Sequence, residues 1–186
     1  MDKFSSQVAD AIGAGQRRPG PVLLPPRDFL ELTADEVDRA LRYDRPLTVI
    51  LMTIDGFSAL RNTLGNDRVE SLFGQVRDKV LGSLRSHDRT GRLGRGELGA
   101  LLPETTLSNA VSATDRLRIA LADDTTVGAS VSMGVAALSP RMRDPKTFLM
   151  TACFELRRAQ SQGTGEVSVA EPEVLKVSIP RSGSIH

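Results

Sequence analysis

The chain meets anions mainly with arginine. Lys3, Lys79, Lys146 and Lys176 are the only lysines among its 24 basic residues. A guanidinium's planar fork suits bidentate capture of guanine or phosphate, although an arginine-rich genome gives the same bias and is the simpler account. Carboxylates placed for chemistry are fewer. Glu97 follows the tight turn Gly94-Arg95-Gly96 and reads most simply as a polar residue left exposed beside a hairpin. Asp55 stands ahead of Gly56-Phe57, where a helix N-cap is the simpler role than a metal ligand. Cys153 is alone, so neither a disulfide nor a cysteine metal site forms within one chain, and a small buried thiol is expected there. His87 and His186 are the only histidines and nothing places them together, which argues against zinc.

The elements that must position these groups come from an ordinary globular composition. The 186 residues are 40% hydrophobic and 25% charged, enough for one domain with flexible ends. A formal net charge of +1 gives no general attraction to nucleic acid or to a membrane surface. No apolar run reaches membrane-spanning length and the N-terminus lacks a signal-peptide pattern, so a cytoplasmic protein is expected.

Residues 1–22 read as a flexible leader with a short helix at Phe4–Ile12, and residues 171–186 as a flexible tail around a folded domain at 23–170. A helix is expected from Arg27 to Tyr43, ended by Pro46. Leu47–Ile54 is a continuous β-branched and apolar run, the pattern of a strand buried on both faces. Phe57–Leu64 predicts a short helix stopped by Gly65, and a longer helix follows to about Leu84, capped by Asn66 or Asp67. Asp88–Leu93 and Glu97–Leu102 predict a hairpin, Leu107–Leu121 a helix, Val127–Leu138 a strand, Thr147–Gln162 a helix stopped by Gly163, and Glu166–Val169 a last strand. This order predicts an α/β (α+β) sandwich: a central, mainly antiparallel sheet flanked by helices, related to the ferredoxin-like and polymerase-palm arrangement.

Several segments together resemble one family. Arg92-Leu-Gly-Arg-Gly-Glu-Leu-Gly-Ala-Leu-Leu-Pro103 is similar to the R-x-G-G-D-E-F-x-x-x-x-P signature of the GGDEF domain of diguanylate cyclases. Leu51-Met-Thr-Ile-Asp-Gly-Phe57 resembles the family's strand ending in D-x-D-x-F, and Thr63-Leu-Gly-Asn-Asp67 its T-x-G-H-D turn. Val131-Ser-Met-Gly-Val-Ala136 resembles its V-S-I-G-V-A strand, and Ala152 to Gly163 its final helix. Leu24-Pro-Pro-Arg27 echoes the L-x-N-R entry without the preceding D-x-L-T-G, so the resemblance covers about residues 24–168.

The resemblance implies a nucleotide-cyclase fold and a degraded catalytic site. The family joins two GTP into cyclic di-GMP by attack of a ribose 3′ hydroxyl on an α-phosphate, with magnesium held by carboxylates. The metal-binding positions here carry Thr53, Gly96 and Glu97. Arg95 replaces the second glycine of the motif, where a side chain is expected to crowd the nucleotide and strain the turn. Arg61 and Glu70 stand where the family reads guanine, Glu70 still able to accept from the amino edge. Gln160 and Thr164 replace phosphate-binding cations. Thr53, Gly94, Arg95, Gly96 and Glu97 are therefore expected to be vestigial, with no cofactor, and magnesium only if some cyclase activity survives.

Arg85-Ser-His-Asp88 fits the family's R-x-x-D product-inhibition motif at the right distance from Gly94, and a third contact falls on Arg116. The resemblance implies cyclic di-GMP at Arg85, Asp88 and Arg116: a carboxylate accepts from guanine N1–H and N2–H, and arginines donate to O6, N7 or phosphate. The plain alternative is a surface ion pair between Arg85 and Asp88 at a helix end. The leading expectation is an inactive GGDEF domain acting as a cyclic di-GMP receptor on an effector protein, with a ligand-linked homodimer as a further arrangement. A residual diguanylate cyclase and a nucleotide-independent interaction scaffold are the alternatives.

Overall fold

The centre of the molecule is β2 (Leu47–Ile54), all eight residues of which are buried. Its alternating side chains feed two separate cores. Ile50, Met52 and Ile54 point to one face and Val49 and Leu51 to the other, the period-two geometry of a strand covered on both sides. In the computed structural model the described residues are 23–122, 129–142 and 144–170; the expected leader, its Phe4–Ile12 helix, the tail and the first two residues of the Val127–Leu138 strand lie outside them.

The sheet has the order β1-β3-β4-β2-β5-β6. β1 is Leu23–Leu24, β3 Arg89–Arg92, β4 Glu97–Pro103, β5 Val131–Ala137 and β6 Val167–Val169. The inner pairings β3–β4, β4–β2 and β2–β5 are antiparallel, whereas β1–β3 and β5–β6 are parallel. A mainly antiparallel sheet between helical layers is thus what the sequence pattern specifies.

On one face, α3 (Asn66–Ser83) and α4 (Leu107–Ala122) bring Val69, Phe73, Val76, Val80, Leu117 and Leu121 onto the sheet. On the other, α1 (Pro26–Tyr43) and α5 (Pro145–Gln162) supply Phe29, Val37, Phe148 and Ala152. The short α2 (Phe57–Leu64) joins β2 to α3 and buries no residue fully.

Two close approaches set how the helices sit. Gly91 and Gly99 face each other across β3–β4, and a Cβ on either would stand 2.5–2.8 Å from the Phe29 ring. The two glycines make the hole that this fully buried ring fills, a burial worth about 1.5–3 kcal/mol. Gly134 of β5 lets α5 approach so closely that a Cβ there would lie 2.2 Å from Leu156 N.

Gly65 and Gly163 end their helices as expected. α1 also ends at Tyr43 as expected, but what stops it is Asp44, which adopts a left-handed conformation (φ 51°) and donates its N–H to Ala40 O, and not Pro46 three residues further on. α3 begins at Asn66 directly after Gly65, with no side-chain cap from Asn66 or Asp67. Cys153 is half-buried against the α1–α5 core rather than enclosed. β1 has no periodicity to betray it, being two residues ahead of a Pro-Pro pair.

Candidate functional site

Two places gather the residues singled out above, and they lie at opposite ends of β3, roughly 10 Å of strand apart. The first is a cleft at the C-terminal end of β2. There Thr53 stands opposite Glu97 of β4 on one side and Ser132 of β5 on the other. Thr53, Phe57, Arg95, Gly96, Glu97 and Gln160 are among the residues lining an open cavity of about 510 Å³.

The hairpin tip is held by Arg92, for which the sequence suggested no role. Its Nε donates to Gly94 O at 3.0 Å and its Nη2 to Arg95 O at 2.8 Å. The same Nη2 donates to both oxygens of Glu70 at 2.9 and 3.0 Å, and the guanidinium lies 4.0 Å from the centre of the Phe73 ring. Glu70 is therefore engaged by Arg92 and not turned to a guanine edge. An arginine just before a glycine-rich turn was the only sequence signal for this arrangement.

The expected strain at Arg95 is absent. The positive-φ residues other than glycine are Asp44 and Glu104 among the described residues, so the turn accepts a side chain at 95 in ordinary backbone geometry. Gly96 is the position that needs glycine, since a Cβ there would meet the Phe57 ring at 2.5 Å. At Gly94 a Cβ would meet only the Glu97 carboxylate, a movable group.

Asp55 does not cap α2, whose N-cap is Gly56 without a side-chain bond. Its Oδ1 accepts from Ser132 Oγ and its Oδ2 from Gly165 N–H, both at 2.8 Å. It ties the end of β2 to β5 and to the turn after α5.

The second place is the loop between α3 and β3. Asp88 N–H donates to Arg85 O at 3.1 Å, and Asp88 Oδ2 accepts from Arg85 N–H at 2.8 Å. Asp88 thus closes the turn through the Arg85 backbone, and the two side chains form no surface ion pair. Asp88 is only 4% exposed, and its Oδ1 is buried without a hydrogen-bond partner. Arg85 and Arg116 are both exposed. Lys79 Nζ donates to Ala120 O at 3.1 Å, fastening the last turns of α3 and α4 together just before Arg85 and just after Arg116.

The family model described as "Diguanylate cyclase, GGDEF domain" matches residues 24–166. The chain belongs to the GGDEF domain family. This GGDEF domain is 26% identical over 149 residues to the probable diguanylate cyclase DgcC of Escherichia coli strain K12, an alignment covering 77% of the chain and 40% of that protein. The chain thus corresponds to well under half the length of this relative. Its fold matches the active GGEEF domain of a diguanylate cyclase from Vibrio cholerae with a TM-score of 0.76 at 19% identity, over 81% of this chain and 99% of that one. It also matches the GGDEF domain of DgcB from Caulobacter crescentus, solved in complex with c-di-GMP, with a TM-score of 0.76 at 18% identity, over 82% and 91%.

Magnesium is the metal such a domain implies, and the donors in this cleft do not fit it. Thr53 brings a neutral hydroxyl, Gly96 no side chain, and both Asp55 oxygens already accept hydrogen bonds. Glu97 is left as the one carboxylate among the lining residues, too few for a hard cation that favours octahedral oxygen coordination. Among the described residues no group of three or more His, Cys, Asp and Glu is placed to hold a metal ion.

Proposed function

We propose that this GGDEF domain works in cyclic di-GMP signalling as a receptor for the dinucleotide and not as a cyclase. The observation that carries the reading is the contrast between the two places. The cleft offers one free carboxylate, whereas the loop at Arg85–Asp88 is pre-shaped by its own hydrogen bonds. Arg85 and Arg116 make no ion pair or side-chain hydrogen bond among the described residues, so both forks are open to guanine O6 and N7 or to phosphate. The Oδ1 of Asp88 supports the same reading, because a buried acceptor without a donor is costly and a guanine N–H edge supplies donors. No helix among the described residues is long and apolar enough to cross a membrane, which accords with a cytoplasmic receptor.

Calorimetric titration of cyclic di-GMP into the wild type and into Arg85→Ala and Arg116→Ala tests the proposal. Binding in the wild type that each variant weakens by roughly 1.5–3 kcal/mol, the worth of a charge-assisted hydrogen bond, is the expected result. No binding by the wild type overturns it. Retention of Glu97 in the cleft favours residual cyclase activity as the second reading, and product analysis after incubation with GTP and magnesium or manganese decides that.

A further inference from the structure

Arg116 lies on α4 and Arg85 just beyond the end of α3, and one half-buried lysine ties the two helices together. Lys79 of α3 donates from its Nζ to Ala120 O at 3.1 Å, across 41 positions of sequence. Ala120 is among the last four residues of α4, whose carbonyls have no partner within the helix. An ammonium there also meets the negative end of the helix dipole.

The same residue is linked forward to the loop. Ser83 Oγ donates to Lys79 O at 2.8 Å in the last turn of α3. Two residues on, Arg85 N–H donates to Asp88 Oδ2 at 2.8 Å, and Arg85 O accepts from Asp88 N–H at 3.1 Å. A run of hydrogen bonds thus leads from α4, one turn beyond Arg116, through Lys79 and Ser83 toward the turn that carries Arg85. Apolar packing alone leaves this setting under-determined. Val76, Val80, Leu117 and Leu121 share one core, where the attraction is non-directional. The Lys79 bond is directional and selects one axial position of α4 against α3.

We propose that Lys79 is a positioning residue for the dinucleotide: it sets the separation of the backbones that carry Arg85 and Arg116 before the ligand arrives. The inference rests on the receptor reading above. Cyclic di-GMP is a closed ring, so its acceptors are held at nearly fixed spacing, and arginines already set to that spacing bind it at a lower ordering cost. Lys79 acts through the two helices and not by touching the ligand.

Two readouts on the full chain test this. In the first, Ser86→Cys and Ser112→Cys, both exposed positions, carry spin labels in a Cys153→Ser background. Their separation is measured by pulsed electron paramagnetic resonance without nucleotide. Lys79→Met is expected to shift or broaden that distance, and Lys79→Arg, which keeps a donor, to restore it. In the second, calorimetric titration with cyclic di-GMP is expected to show binding about tenfold weaker in Lys79→Met and near wild type in Lys79→Arg. Ser83→Ala, which removes the next link, moves both readouts the same way by less. Phe148→Leu, in the core on the opposite face of the sheet, lowers stability and leaves both readouts unchanged; a merely structural lysine would behave like it. Thermal unfolding of each variant fixes a titration temperature at which all are folded. An unchanged distance in Lys79→Met and Ser83→Ala overturns the proposal whether or not the wild type binds. Wild-type binding that Lys79→Met leaves intact also overturns it and spares the receptor reading. A wild type that binds no cyclic di-GMP overturns the receptor reading, and the positioning role falls with it.

Discussion

Arg92 of β3 donates to both carboxylate oxygens of Glu70 on α3, at 2.9 and 3.0 Å, while the same side chain holds the carbonyls of Gly94 and Arg95. One guanidinium thereby fixes the hairpin tip to a helix 22 residues earlier in the chain. Half-exposed ion pairs contribute little by themselves, and Glu70 is 50% exposed. The carbonyl bonds and the Phe73 face are what make Arg92 a fastening.

Arg92→Ala is accordingly expected to lower stability by about 1–3 kcal/mol in urea unfolding, and Arg92→Lys to recover little, since one ammonium cannot reach three acceptors on different sides. Glu70→Gln should cost under about 1 kcal/mol. A larger effect from Glu70 than from Arg92 would contradict this division.

Gly134→Ala places a methyl 2.2 Å from Leu156 N and 2.4 Å from Ala152 O, backbone atoms that move only if α5 moves. A loss of about 2–3 kcal/mol is expected in the same measurement. Gly82→Ala is the control: it lies in α3 with nothing within 4 Å of the added atom, and a gain of about 0.5–1 kcal/mol is expected.

Asp55→Ala leaves Ser132 Oγ and Gly165 N–H without their acceptor and should cost about 1–3 kcal/mol. Asp55→Asn keeps one acceptor oxygen and should cost less. If Asp55 were a metal ligand instead, the loss in Asp55→Ala would depend on added magnesium; it is expected not to.

Asp144 caps α5, and the Thr147 hydroxyl, with the N–H groups of Lys146 and Thr147, holds its carboxyl below the ordinary value of 3.8. A carboxyl depressed in the folded state contributes stability that is present above its unfolded value and fades as pH falls through the folded one. Wild type and Asp144→Asn should therefore differ in thermal midpoint near neutral pH and converge as the solution is acidified below that range. Curves that stay parallel would show that Asp144 does not titrate with folding.

Most of the framework was legible because its signals are local. The unbroken apolar run of β2, the glycines at 65 and 163, and the tight turn Gly94-Arg95-Gly96 ahead of β4 each decide their own few residues. What escaped is what depends on distant partners. Asp55 looks like a cap from its neighbours, yet its hydrogen-bond partners lie 77 and 110 positions away. Asp88 looks like a displayed acceptor, yet the loop folds its carboxylate back onto the Arg85 backbone. The strain expected at Arg95 came from reading glycine as a backbone requirement, whereas the demand in this turn is for space, and it falls on Gly96 under the Phe57 ring.

The hole formed by Gly91 and Gly99 around Phe29 has a consequence for how this domain can change over generations. Enlarging either glycine collides with the ring, and shrinking the ring alone opens a void, so no member of the trio can be replaced by itself without loss. Only paired changes cross that barrier, and paired changes are rare. The sheet segment behind the hairpin is thus held in place by mutational inaccessibility, while position 95 at the tip, where Arg95 lies exposed and unstrained, is open to single steps. A domain built this way can vary position 95 of its hairpin tip and keep the shape of the sheet behind it.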